Sequence, residues 1–372
     1  MKVKVNLFGR VTVAAALSVA LCGAVPAVHA EEKVLNVYNW SDYIDETVIA
    51  DFEEKTGIKI NYDVFDSNEI LETKLLAGSS GYDLVVPSAH FLSRQIKAGV
   101  FQPLDKEKLP NLKNAWDVIL ERTAIYDEGN AHSVNYLWGT TGIGYVEEKV
   151  KEVLGEDAPL DSWDLVFKPE YAEKLAKCGI HWLDAPTEMI PAMEKYLGLD
   201  PAKTDADALA KVEELALKVR PYIQKFHSSE YIGALANGDI CVAIGWSGDV
   251  FQAQSRAEEN ETGMTVNYVI PKEAAQMWFD MLTIPVDAKH VDEAHQFINY
   301  LLEPEVIAKI SNYVAYANGN KASQEFIDKE ILENPAIYPT PEVMERLFTT
   351  KAYEGKLQRL VTRTWTKIKS GQ

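Results

Sequence analysis

The sequence predicts an α/β protein of two lobes, and three observations carry that expectation. The first thirty of its 372 residues read as a removable leader, and the remainder is too long for one ordinary α/β core. Short apolar, β-branched runs alternate with stretches of helical periodicity, the rhythm of parallel strands joined by crossover helices. That rhythm changes at "YLWGTTGIGYVEEKV" from Tyr136, where Gly139, Gly142 and Gly144 interrupt an extended segment. Such a segment suits a crossing between lobes, with an ordinary loop as the alternative.

The leader has basic Lys2, Lys4 and Arg10, an apolar run from Val11 to Ala24, and Val28-His29-Ala30 as a cleavage site before Glu31. Residues 1–30 therefore read as a secretory signal. A membrane anchor is the alternative, but the apolar run is shorter than the roughly 20 residues of a spanning helix. Leu21 precedes Cys22 where a lipoprotein signal has a small residue, so a soluble mature chain is expected.

Lys33 to Tyr38 reads as a buried strand, and Ile44, Val48, Ile49 and Phe52 as a helix that stops at Gly57. "IKINYDVF" from Ile58 is a second strand, "NEILETKLLAGSSG" from Asn68 a helix, "YDLVVPS" from Tyr82 a strand buried on both faces, and "HFLSRQIKAG" from His90 a helix. Beyond the crossing, helical "ADALAKVEELALKV" and the strand "DICVAIGW" mark a second α/β unit. Ser247 or Asp249 is expected to cap the helix running from Val250. "TVNYVIP" and "MWFDMLTIP" return to strands before a mostly helical end.

Formal net charge is −19, and loss of the leader's three basic residues takes it to −22. Nucleic acid and anionic lipid are poor partners for such a surface; it serves solubility, or it attracts a cationic ligand. Cys178 and Cys241 remain in a chain bound for an oxidising compartment, which favours a disulfide, with two buried thiols as the alternative.

Aromatic and acidic residues recur together where strands are expected to end. The segments are Trp40-Ser41-Asp42-Tyr43, Pro87-Ser88, Asp184 to Glu188, Trp246-Ser247-Gly248-Asp249, Trp278-Phe279-Asp280 and Tyr313 to Tyr316. In open α/β sheets ligands bind outside the carboxyl ends of strands. Aromatic faces attract cations and cover methylene stems, and carboxylates take charge-assisted hydrogen bonds from ammonium groups. Aromatic walls with acidic ends describe a slot for a linear polycation.

These residues also carry a resemblance over the mature chain. "VYNWSDYI", "YDLVVPS", "LDAPTEMI", "NGDICVAIGWSGDV", "WFDMLTIP" and "YANGNKAS", with "TRTWTKIKSG" near the end, resemble the periplasmic polyamine-binding proteins of ABC importers. The resemblance implies the two-lobed periplasmic binding protein fold of type II, mixed sheets flanked by helices, and a hinge of crossover strands. Lobe 1 is then expected over residues 31–138 and about 254–305, and lobe 2 over 139–253 and about 306–372 with the C-terminal helices. It implies a periplasmic monomer that delivers spermidine or putrescine to an inner-membrane ABC permease, with no cofactor, no metal and no catalysis. It also agrees with a Cys178–Cys241 disulfide.

Carried over by position, Trp40, Trp246 and Tyr316 would sandwich the aliphatic chain, with Ser41, Tyr43 and Ser88 as polar contacts. Glu188, Asp249 and Asp280 would receive the ammonium groups, and Asp42 is a further rim carboxylate. Putrescine-type members resemble this chain but have Phe where Trp278 stands, so spermidine is the expected ligand, putrescine the alternative.

Two rival classes fit less well. A secreted hydrolase could use Glu188 and Asp249 as an acid and base pair, but there is no nucleophile elbow, and Ser228-Ser229 after His227 reads as a helix start. A metal binder would need ligand spacing, and His132, His181 and His227 read as structural or exposed. A basic amino acid would need an Arg for its carboxylate, and none stands in the segments above.

Overall fold

A computed structural model of the chain describes residues Lys33–Gln372. The secretory signal expected over residues 1–30 lies outside the described residues. Among the described residues, no helix is long and apolar enough to cross a membrane.

Eleven strands of the described residues form one mixed sheet. They are β1 (Val34–Trp40), β2 (Lys59–Phe65), β3 (Leu84–Val85), β4 (Ser133–Val146), β5 (Ile180–Trp182), β6 (Lys225–Phe226), β7 (Val242–Trp246), β8 (Val266–Val269), β9 (Ala275–Thr283), β10 (Ala317–Asn318) and β11 (Leu347–Phe348). The order is β2-β1-β3-β9-β4-β7-β5-β6, with β10 and β8 also on β4 and β11 on β9. Pairs at the two ends, β1 with β2 and β3, and β5 with β6 and β7, are parallel. Their crossovers include Glu46–Thr56 and Asn68–Leu76 at one end and Pro186–Tyr196 and Ala206–Val219 at the other.

Local chemistry explains these elements. Asp45 accepts the Thr47 N–H to start the first helix, and Gly57 ends it with φ at 72°, a conformation that costs glycine little. Ser67 caps the second helix on the Ile70 N–H. The helix after β7 begins at Ser247 itself, and neither Ser247 nor Asp249 acts as the expected cap. Both lie inside its first turn, which frees the Asp249 carboxylate to point elsewhere. β1 runs two residues beyond Tyr38 and so includes Trp40.

The Tyr136 segment is no loop. Its residues through Val146 belong to β4, fourteen residues that are all buried, and the rest begin the helix Glu147–Leu154. The first part of β4 pairs antiparallel with β9, and its second part with β7 and β8. The β4–β9 register shifts between Asn135 and Trp138.

Two apolar clusters flank this junction. The first gathers residues of β1–β3, the first half of β4, β9 and the helices Val291–Leu301 and Pro304–Val314. The second gathers the later half of β4, β5, β7, and the helices Pro186–Tyr196, Ala206–Val219 and Gly355–Ser370. Ala257 and Val266 pack in the second cluster, and Ile307, Ile310 and Val314 in the first. The reason is pairing: β8 adds to the distal half of β4, whereas the Pro304–Val314 helix leads into β10, which pairs with the proximal half. Cys178 and Cys241 form a disulfide within the second cluster, their Cα atoms 5.5 Å apart.

Candidate functional site

Between the two clusters lies a cavity lined by Trp40, Ser41, Tyr43, Asp66, Asn68, Ser88, Glu188, Trp246, Asp249, Trp278, Asp280 and Tyr316. Trp246 packs against both clusters. Most of the lining comes from strand ends and the starts of following helices, but Trp278 and Asp280 do not. They stand in the middle of β9, where side chains two apart share a face. Gln276, Trp278 and Asp280 thus form one row.

The aromatic walls pack against one another. Trp40 and Trp246 meet edge to face at 5.6 Å, Tyr43 and Tyr316 at 5.2 Å, and Trp278 and Tyr316 at 5.3 Å. Trp40 is fixed by its indole N–H on the Val86 carbonyl at 2.9 Å. Two glycines admit the rings. A Cβ at Gly139 would lie 2.8 Å from Trp278 Cζ2, and one at Gly248 would overlap the Tyr316 ring.

Each of the three buried carboxylates accepts from two neutral donors. Asp280 takes Tyr43 Oη at 2.8 Å and Ser88 Oγ at 2.6 Å. Asp249 takes Tyr231 Oη at 2.7 Å and Tyr316 Oη at 2.6 Å. Glu188 takes Thr141 Oγ1 at 2.6 Å and Gln276 Nε2 at 3.0 Å. No Lys, Arg or His is among the lining residues. Burial accordingly pushes Glu188 up to about 8, and Asp249 and Asp280 up to about 7, against the lowering effect of their hydrogen bonds. The Tyr43, Tyr231 and Tyr316 hydroxyls are raised well above their ordinary range, chiefly by burial, so they stay protonated and donate.

Aromatic faces and carboxylates held by neutral donors thus surround the cavity, with no basic side chain among them. Residues 47–340 match the family of bacterial extracellular solute-binding proteins. The chain belongs to that family. The putrescine-binding periplasmic protein PotF of Escherichia coli is 55% identical over 96% of this solute-binding protein and 98% of its own length. SpuD of Pseudomonas aeruginosa, also a putrescine-binding periplasmic protein, is 52% identical over 98% of this chain and 99% of its own. The structure of the spermidine/putrescine transporter substrate-binding protein PotD of Streptococcus pneumoniae superposes with a TM-score of 0.73 at 31% identity, covering 91% of this chain and 99% of that one. This solute-binding protein is accordingly periplasmic and is not an enzyme.

Ten of the residues singled out in the sequence, Trp40, Ser41, Tyr43, Ser88, Glu188, Trp246, Asp249, Trp278, Asp280 and Tyr316, line this one cavity. Asp42 does not. Its carboxylate pairs with Arg256 at 2.6 Å and lines a neighbouring surface groove, beside Tyr313. A left-handed backbone at Asp42, φ 54°, turns it out of the row that Ser41 and Tyr43 complete. Asp184 is also outside, accepting from Trp365 Nε1 and paired with Lys369.

Two lining residues escaped the sequence reading. Asp66 and Asn68 follow β2 at the same kind of strand end as Ser41, but no aromatic residue stands beside them to draw notice except Phe65, which packs inward on Trp40 at 4.6 Å. Asn68 holds Ser88 through two hydrogen bonds of 3.0 Å. The carboxylate holders Thr141, Tyr231 and Gln276 have no linear signal, since each meets its acid only through the tertiary fold.

Proposed function

We propose that this protein captures a linear polyamine, putrescine before spermidine, in the periplasm and delivers it to an ABC permease of the inner membrane. The observation that carries the reading is the cavity lining: aromatic faces, four carboxylates and no basic side chain. A dication with a methylene stem answers both halves of that surface.

Position along β9 separates the charges. Asp280 and Gln276 are four residues apart, about 13 Å along the strand at roughly 3.3 Å per residue, and Gln276 holds Glu188. Asp249 joins Asp280 at one end through the Tyr316 and Tyr43 rings, and Trp278 stands between the ends. One ammonium group would then sit between Asp249 and Asp280, the other on Glu188, with the methylenes against Trp40, Trp246, Trp278 and Tyr316. Ser41 and Ser88 complete the polar rim.

Spermidine preference was expected from Trp278 alone. Its indole packs over Gly139 and against Tyr316, so the wall absorbs much of the larger ring. Putrescine is further supported by the ligand named for the PotF and SpuD relatives. Putrescine has about six non-hydrogen atoms, so a ceiling of roughly 1.5 kcal/mol per atom allows about 9 kcal/mol, enough for the roughly 8 kcal/mol of micromolar binding.

The two apolar clusters serve as lobes in this reading, hinged where β4 and β9 pass between them, and the protein works as a monomer. Titration calorimetry of ligand-stripped protein with putrescine, cadaverine, spermidine and arginine tests the proposal. Strong heat with putrescine, less with spermidine and none with arginine is the expected order; silence with every polyamine would remove the reading.

A further inference from the structure

Three of the four lining carboxylates are buried and each is held by two donors, but the fourth is different. Among the described residues Asp66 has no hydrogen-bond or ion-pair partner, and it is only partly buried. Of the twelve lining residues, nine are buried, and Ser41, Asp66 and Trp246 alone retain intermediate exposure, so these three mark the mouth. A second polar group of the lining is also without a partner: the Trp278 indole N–H, on a residue only 6% exposed. The three buried acids, Asn68 and Ser88 are matched within the protein, whereas Ser41 Oγ and the Trp246 indole N–H at the mouth have no partner among the described residues either, so the unmatched groups point to contacts that the protein does not itself complete.

We infer that Asp66 is a specificity-determining residue that receives the additional ammonium group of a linear triamine at the mouth of the cavity. The inference rests on the polyamine reading above. A diamine spans the two buried acidic ends and has no charge left for Asp66. A triamine is longer by an aminoalkyl arm and carries a third cation, which must find a partner or remain solvated. With both ends taken, Asp66 is the remaining lining carboxylate, and the exposed face of Trp246 beside the mouth offers a cation–π surface for the same group. Because Asp66 is partly solvated, its contact adds affinity without the desolvation cost of the buried acids. It thereby sets how strongly longer polyamines compete with the diamine.

Putrescine and spermidine titrations of wild type, Asp66→Asn and Asp66→Ala test this, with Asp292→Asn, an exposed acid of the Val291–Leu301 helix, controlling for the general field of the acidic surface. Both Asp66 variants should lower spermidine affinity by about tenfold and leave putrescine within about threefold, as expected for a partly exposed charge pair. An equal loss for both ligands would make Asp66 a general attractor and overturn the inference, as would unchanged spermidine affinity. Wild-type protein that binds neither ligand would instead overturn the polyamine reading itself. Asp66 holds no structural hydrogen bond, so folding is expected to be intact, and circular dichroism melts of both variants check it.

Discussion

Tyr316 and Asp249 are tied together twice: the Asp249 backbone N–H donates to Tyr316 Oη at 3.1 Å, and that hydroxyl donates to the Asp249 carboxylate at 2.6 Å. One phenol thus fixes both the start of the Ser247–Glu259 helix and the direction of its acid. Tyr316 comes from the first cluster and Asp249 from the helix that packs in the second, so the bond also spans the cavity. Gly248, which leaves room for the ring, is part of the same device.

Tyr316→Phe keeps the aromatic wall and removes the donor. Asp249 then retains Tyr231 alone, and putrescine affinity should fall roughly fivefold, in line with about 1 kcal/mol for one hydrogen bond. Calorimetry measures the loss, and an unchanged affinity would mean that Tyr316 contributes only its ring.

Asp280→Asn and Asp249→Asn should weaken putrescine binding by several kcal/mol, about a hundredfold or more, because an ammonium group would be left buried without its counter-charge. Asp51→Asn, at an exposed residue paired with Lys309, is the comparison. Equal small losses at all three positions would contradict the pocket assignment.

Proton release should accompany binding. Glu188, at about 8, and Asp249 and Asp280, at about 7, are partly protonated in the free site near neutrality, and a bound dication favours their ionised forms. Calorimetric heats at pH 7 should therefore depend on the ionisation enthalpy of the buffer, and affinity should fall as pH drops from 8 to 6. Heats identical in phosphate and Tris would show that no proton moves.

The same raised carboxyls work against folding at higher pH. Their stabilising effect is complete below the ordinary carboxyl range and is lost as pH rises through 7 to 8, because the folded state then binds more protons than the unfolded state. Glu194, raised to about 7 by burial, adds to this slope with or without ligand. His90, held down to about 3 by burial, acts in the opposite sense only below its ordinary 6.5. Thermal melts should show the ligand-free protein losing stability between pH 6.5 and 8, and saturating putrescine should flatten the decline.

Trp278→Phe tests the remaining selectivity argument. The Trp278 indole N–H has no partner, so the change sacrifices no internal hydrogen bond. The ratio of spermidine to putrescine affinity should fall, and a ratio that does not move would remove Trp278 from the account of specificity.

The first helix, the β2–helix–β3 succession and the recurrence of Trp, Ser, Asp and Tyr at strand ends were legible because short-range physics dictates them. Periodicity, caps such as Asp45 and the Gly57 stop act within a few residues. Other features were not legible for a matching reason. The expected cap at Ser247 or Asp249 competes with a helix that starts earlier, and only the cavity explains why Asp249 points inward. Asp42 and Ser41 are chain neighbours, yet a left-handed turn sends one to Arg256 and leaves the other in the lining.

By itself, the sequence determined the α/β alternation, the acidic charge, the pairing-prone cysteines and the residue types of a polycation slot, since each depends on composition and local spacing. Only the tertiary structure decided which acids share the slot, that Thr141, Tyr231 and Gln276 hold them, that Asp66 stands at the mouth, and that the Pro304–Val314 helix packs with the first cluster. These are contacts between residues far apart in the chain, and they are made by strand pairing and close packing, which no local pattern encodes.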